Sequence, residues 1–78
     1  MNGRHAENCR AYLSLALTMR RISHQYRGWA RDAERKGNLA EFTRWSAEAD
    51  KCWQSAKINL DFAMREADFV PRSIAHAA

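Results

Sequence analysis

The 78-residue sequence contains little that interrupts a helix or cross-links a fold: one proline, three glycines and two cysteines. The one proline, Pro71, lies near the carboxyl end, where its missing N–H ends a helix. No apolar run approaches the roughly 20 residues of a membrane span, so we expect no membrane partner. No segment shows the alternation of a half-buried strand. These absences favour an all-α chain.

What the sequence does contain is two seams of small and apolar residues, one on each side of Gly37-Asn38. The spacing alternates between three and four, which is typical of one face of a helix. The two seams are Cys9, Tyr12, Ala16, Met19, Ser23, Tyr26, Ala30 and Ala33, then Phe42, Trp45, Ala49, Cys52, Ala56, Asn59 and Ala63. Antiparallel pairing sets large against small residues, such as Tyr26 against Ala49, which fills a core without voids.

Local signals predict where the helices end. Gly37 permits the left-handed backbone of a C-cap. Asn38 and Glu41 have the spacing of a capping box, which opens a second helix that Pro71 stops. The sequence therefore predicts a single helical-hairpin domain over residues 1–78. Its elements are a first helix over about 4–35, a turn at 36–38, a second helix over about 39–68 and a frayed tail at 72–78.

The cysteines are not predicted to form a disulfide. In the antiparallel register Cys52 lies near Ser23, which is two heptads, or roughly 21 Å along the axis, from Cys9. No signal peptide opens the sequence. We therefore expect two buried thiols in a protein of the reducing cytoplasm.

The sequence shows no catalytic, metal-binding or nucleotide-binding motif. Its histidines and cysteines have neither H-x-x-x-H nor C-x-x-C spacing. Ser23 and His24 are adjacent, and adjacent residues on a helix do not face each other. A two-helix hairpin also offers little concave volume for a substrate. We therefore expect no enzymatic activity, no metal and no cofactor.

Large apolar residues remain outside the seam, and a soluble monomer rarely exposes so many. Burying each one is worth roughly 1.5–3 kcal/mol, so the sequence predicts a homodimer in the form of a four-helix bundle. The alternative is that a bent hairpin, or a short helix after Pro71, covers part of this surface. The candidates for the dimer interface are Leu15, Ile22, Trp53 and Leu60.

The net charge of +4 is concentrated in residues 1–36, where Arg20, His24, Arg27, Arg31 and Arg35 form one stripe. Such a stripe suits a solvated face, an acidic patch on a protein or a phosphate backbone. Nucleic acid is the weaker partner, because no helix-turn-helix, zinc-finger or basic-zipper pattern accompanies the stripe. The candidates for partner binding are Trp29, Arg20, Arg27 and Arg31, since Trp and Arg are favoured at binding hot spots.

A small helical hairpin with surplus aromatic and arginine surface resembles the host-takeover proteins of bacteriophages. It is most similar to the quorum-sensing anti-activators of Pseudomonas phages, through the run from Gly28-Trp29-Ala30-Arg31-Asp32-Ala33 to Ala40-Glu41-Phe42. The resemblance implies a dimer that binds the DNA-binding domain of a LuxR-type activator and keeps it off its promoter. That family is also associated with a pilus-assembly ATPase. No functional residue carries over by position.

The function we expect is therefore a protein-binding inhibitor of a bacterial host regulator. The alternatives are a basic helical dimer that binds nucleic acid directly and an anti-CRISPR protein, which shares the size class.

Overall fold

The computed structural model describes residues 2–69, which form two helices joined by a short turn. Helix α1 spans Asn2–Arg35 and helix α2 spans Leu39–Ala67. The two helices pack against each other along their length, so the chain is an all-α helical hairpin, as the sequence predicts. Helix α1 begins two residues before the expected 4–35. Pro71 and the tail expected at 72–78 lie outside the described residues.

Two caps that the sequence predicts form the turn. Gly37 has φ +73°, its N–H donates to the Glu34 carbonyl (3.0 Å), and the Asn38 N–H donates to the Ala33 carbonyl (2.9 Å). This pair of bonds is a Schellman motif. The Asn38 side chain accepts from the Glu41 N–H at 3.1 Å. Since the Asn38 N–H is already bound to Ala33, only one half of the expected capping box forms.

The centre of the interface contains only small side chains. Ser23 is fully buried, and its hydroxyl donates to the Ala49 carbonyl at 2.8 Å, so a short side chain of α1 reaches the backbone of α2. Large seam residues such as Tyr26 and Met19 are only half-buried. The expected alternation of bulk and gap is therefore wrong at the centre, where small residues face each other and let the helices approach closely. The buried apolar residues are Ala16, Ala30, Ala33, Ala49, Ala56 and Ala63.

The hairpin is long and thin. It measures 54 × 17 × 13 Å, and its radius of gyration is 17.0 Å, against about 11.5 Å for a compact domain of this length. Its accessible surface is 6072 Å², against about 4,900 Å² for a compact protein of its mass. Large apolar side chains lie in that extra surface. Leu15, Trp29, Trp53 and Leu60 are exposed, as expected, while Ile22 is half-buried.

The seam of small residues predicts that stability is sensitive to side-chain size at Ala49, which has no exposed surface. Ala49→Leu adds volume where the helices meet and is expected to destabilise the protein by about 1–3 kcal/mol. Ala47→Leu, on the exposed side of the same helix, is the matched control and should stay within about 0.5 kcal/mol of the parent. Urea unfolding followed by circular dichroism, at one fixed protein concentration, measures both. Equal effects of the two substitutions would contradict the close-packed seam.

Candidate functional site

The seam divides the remaining surface into two flanks. Consecutive residues on an α-helix are about 100° apart, so the residue before a seam residue and the residue after it lie on opposite sides. Around the buried Ala16, Leu15 lies on one side and Leu17 on the other. One heptad later Ile22 and His24 repeat this division about Ser23. Each flank combines side chains from both helices.

The first flank contains an apolar groove of about 300 Å³ between the two helices. Leu13 and Leu17 form its α1 wall, and Trp53 and Leu60 form its α2 wall. Ala16 and Ala56 lie between them, and Arg20 and Lys57 complete the lining. We call these eight residues the groove, and the side of the hairpin that carries them the groove flank.

Two cations of the groove are not neutralised by the hairpin itself. On the same flank Arg27 pairs with Asp50 across the helices at 2.9 Å. On α2, Asp61 pairs with Arg65 at 2.9 Å. Within residues 2–69, neither Arg20 nor Lys57 forms an ion pair. The groove therefore presents one positive charge from each helix beside an apolar lining.

The second flank contains a cluster of three aromatic rings near the turn. The rings of Tyr26 and Trp45 stack at a centroid distance of 5.4 Å. Trp29 meets both edge-on, at 4.9 Å from Trp45 and 5.4 Å from Tyr26. The guanidinium of Arg44 lies 4.7 Å from the Trp45 ring centre, within range of a cation–π interaction. We call Tyr26, Trp29 and Trp45 the aromatic triad.

The same flank is aromatic at its other end. Tyr12 packs against Phe62 with centroids 5.2 Å apart, and His5 stacks on Phe69 at 4.8 Å. His5 Nδ1 also lies 2.5 Å from a carboxylate oxygen of Glu66. Between the triad and Phe62 the helical spacing places one acid, Glu48, which pairs with Lys51 at 3.5 Å. The other residues there are uncharged: Leu15, Met19, Ile22, Cys52, Ser55 and Asn59. We call the side from Tyr12 and Phe62 to the triad the aromatic flank.

The structure separates residues that the sequence groups together. Trp29 lies on the aromatic flank with Tyr26 and Trp45, away from its sequence neighbours Arg27 and Arg31. Of the three partner-binding arginines, Arg20 lines the groove, Arg27 is paired with Asp50, and Arg31 is exposed on the groove side of α1. Trp29 and these arginines therefore do not form one contact surface on a single chain.

The four candidates for the dimer interface are divided in the same way. Leu15 and Ile22 share the column of Trp29, which is on the aromatic flank. Trp53 and Leu60 line the groove on the other side. The sequence signal that separates them is the position of the small residues. If Ala16, Ser23 and Ala30 are taken as the centre of the buried face of α1, the residues on either side of them fall on opposite flanks.

Among the described residues, no group of three or more His, Cys, Asp or Glu side chains is arranged to hold a metal ion. Cys9 and Cys52 are free, half-buried thiols. Neither helix is long and apolar enough to cross a membrane over the part of the chain that the structure describes. The two flanks are the features with evident capacity to bind a partner.

Comparison with known proteins found no match: no protein-family profile, no curated protein and no solved structure matches this chain. The chemistry of the two flanks is therefore the basis for inferring a function.

A double-mutant cycle tests whether the aromatic triad acts as one unit. Trp29→Ala and Trp45→Ala should together cost less than the sum of their separate effects, with a coupling of about 0.5–1.5 kcal/mol, because each substitution removes the same ring contact. Urea unfolding of the parent, both single variants and the double variant gives this value.

The matched control cycle pairs Trp45 with Trp53, which lies on the groove flank. Their effects should add to within about 0.5 kcal/mol. Coupling that is as large between Trp45 and Trp53 as between Trp45 and Trp29 would contradict the division into flanks.

Proposed function

We propose that this protein is a non-enzymatic inhibitor that forms a homodimer and binds a bacterial protein, blocking that protein's normal contacts. The observation that carries the proposal is the presence of two chemically different unpartnered flanks, one mainly uncharged and aromatic, the other apolar and positively charged. A chain whose core consists of small side chains gains most of its remaining stabilisation by covering such surfaces.

The aromatic flank is the better surface for a second copy. Around a two-fold axis the same patch meets itself, so a self-complementary surface needs few like charges. The central stretch of this flank carries one acid, Glu48, which is paired with Lys51, and Leu15 and Ile22 lie within the same stretch. Two hairpins joined along this flank form a four-helix bundle with the aromatic residues inside.

The groove flank is poorly suited to self-association. Pairing it with its own copy brings Arg20 and Lys57 of one chain near the same residues of the other, and desolvated like charges repel. The dimer therefore leaves a groove on each outer side. These outer grooves, with Trp53 as the aromatic anchor and Arg20 beside it, are the proposed surface for the target.

The target class follows from the resemblance to phage anti-activators. In the cytoplasm of a bacterial host, the inhibitor would bind the DNA-binding domain of a LuxR-type regulator and keep it from its promoter. An anti-CRISPR function uses the same surfaces on a different host protein.

Direct binding to nucleic acid is the second candidate, favoured by the exposed arginines of α1. Two of the five residues in the stripe are engaged within the chain, since Arg27 pairs with Asp50 and Arg35 pairs with Asp32. Arg20 and Arg31 form no ion pair within the described part of the chain. Because Arg27 and Arg35 are already paired, the stripe alone offers few phosphate contacts, so a protein target is the stronger proposal.

Substitutions on the two flanks test the arrangement of the dimer. The pair Leu15→Glu and Ile22→Glu places four carboxylates at the proposed interface and should give monomers in analytical ultracentrifugation. The matched pair Leu13→Glu and Leu17→Glu on the groove flank should leave the dimer mass unchanged. Monomers from the groove pair, or a dimer that survives the first pair, would reverse the assignment of the flanks.

Capture from a bacterial lysate tests the function itself. The tagged protein should retain one host protein at moderate salt after nuclease treatment, because apolar burial drives the contact. The purified DNA-binding domain of a LuxR-type activator is the first defined target, with its own promoter fragment as competitor. Recovery of nothing but the protein's own partner copy, or a complex that nuclease abolishes, would count against the proposal.

A further inference from the structure

The groove has the length needed to bind a third helix. Trp53 and Leu60 are seven residues apart on α2, which is about 10.5 Å along the axis, and Leu13 and Leu17 form the facing wall. Side chains at positions i, i+4 and i+7 of an incoming helix span the same length. The small Ala16 and Ala56 leave room for those side chains between the walls.

A small molecule is a poorer occupant. The groove is open, and its volume of about 300 Å³ is at the lower limit for a ligand pocket. Six of its eight lining residues are apolar, and the two polar ones are flexible cations, so it lacks the several convergent polar groups that orient a small ligand. A partner helix that binds through its apolar side chains needs no such groups, because its backbone hydrogen bonds are satisfied within the helix.

The charges determine which helix fits. Arg20 on α1 and Lys57 on α2 both line the groove, and neither is paired among the described residues. Farther along the same side of α1, His24 and Arg31 are exposed. A helix with carboxylates on both sides of an apolar stripe would pair with these cations, whereas a basic helix or a second copy of this chain would meet like charge.

We infer that the groove of Leu13, Leu17, Arg20, Trp53, Lys57 and Leu60 binds an acidic amphipathic helix of the target protein. This inference rests on the proposed function and specifies the recognised element. The apolar stripe of the target helix packs on Trp53 and Leu60, and its flanking Glu or Asp side chains pair with Arg20 and Lys57.

The three tryptophans give a test that reports which flank is used. Trp53 lines the groove, whereas Trp29 and Trp45 belong to the aromatic triad, so their indole N–H signals in NMR report different flanks. The probe is a helical peptide of about 18 residues with Leu at i, i+4, i+7 and i+11 and Glu on both sides. It should shift the signal that Trp53→Phe removes and leave the other two in place.

Charge reversal provides the matched controls. The same peptide with Lys in place of Glu should bind about tenfold more weakly to the parent protein. The variant Arg20→Glu/Lys57→Glu should reverse that preference and favour the Lys peptide. Equal affinity for both peptides, or no shift of the Trp53 signal, would overturn the inference.

Other occupants give distinct outcomes, each of which also overturns it. A Trp53 signal that moves on dilution, together with the dimer mass, identifies a second copy in the groove. A Trp53 signal that moves in Ile74→Asp, without peptide, identifies the chain's own carboxyl-terminal segment. A captured host protein whose binding is unchanged in Arg20→Glu/Lys57→Glu leaves the proposed function intact and places the target elsewhere.

Discussion

The close approach of the two helices is the constraint on which the rest of this structure depends. Small side chains recur every seventh residue, as Ala16, Ser23 and Ala30 on α1 and Ala49, Ala56 and Ala63 on α2. The bond from the Ser23 hydroxyl to the Ala49 carbonyl exists only because the backbones come so near. Over these heptads the buried seam positions hold only small side chains, and Leu15, Leu17 and Trp53 lie to one side or the other. Phe42, one heptad before Ala49, is a large residue at a seam position near the turn.

This displacement of large side chains from the centre leaves much apolar surface of the hairpin exposed. An alanine-lined interface removes little apolar area from water, and the elongated shape exposes still more. The large side chains that in a globular domain would fill the core here form two outward surfaces. The same residues therefore provide both the apolar surface whose burial favours association and the side chains available for recognising a partner.

The charges then give the two flanks different roles. On the groove flank the ion pair of Arg27 with Asp50 links the helices, and within residues 2–69 neither Arg20 nor Lys57 forms an ion pair. On the aromatic flank Glu48 pairs with Lys51 at 3.5 Å, and beyond the end of that flank Glu66 contacts His5 and accepts a hydrogen bond from the side-chain amide of Asn8. In the proposed arrangement, the less charged flank accepts its own copy and the cationic flank binds the target, because like charges repel across a two-fold axis.

The sequence by itself determined the hairpin, because its signals are local: Gly37 and Asn38 cap the turn through backbone bonds to near neighbours, and the heptad spacing puts one face of each helix inside. It also indicated that Trp53 and Leu60 stay exposed. Only the tertiary structure decided that they share a groove with Arg20 while Leu15, Ile22 and Trp29 lie opposite. The heptad spacing determines which residues lie near the seam. Which of them lie at its centre depends on how closely the two helices pack, and that distance is determined by side chains from both helices.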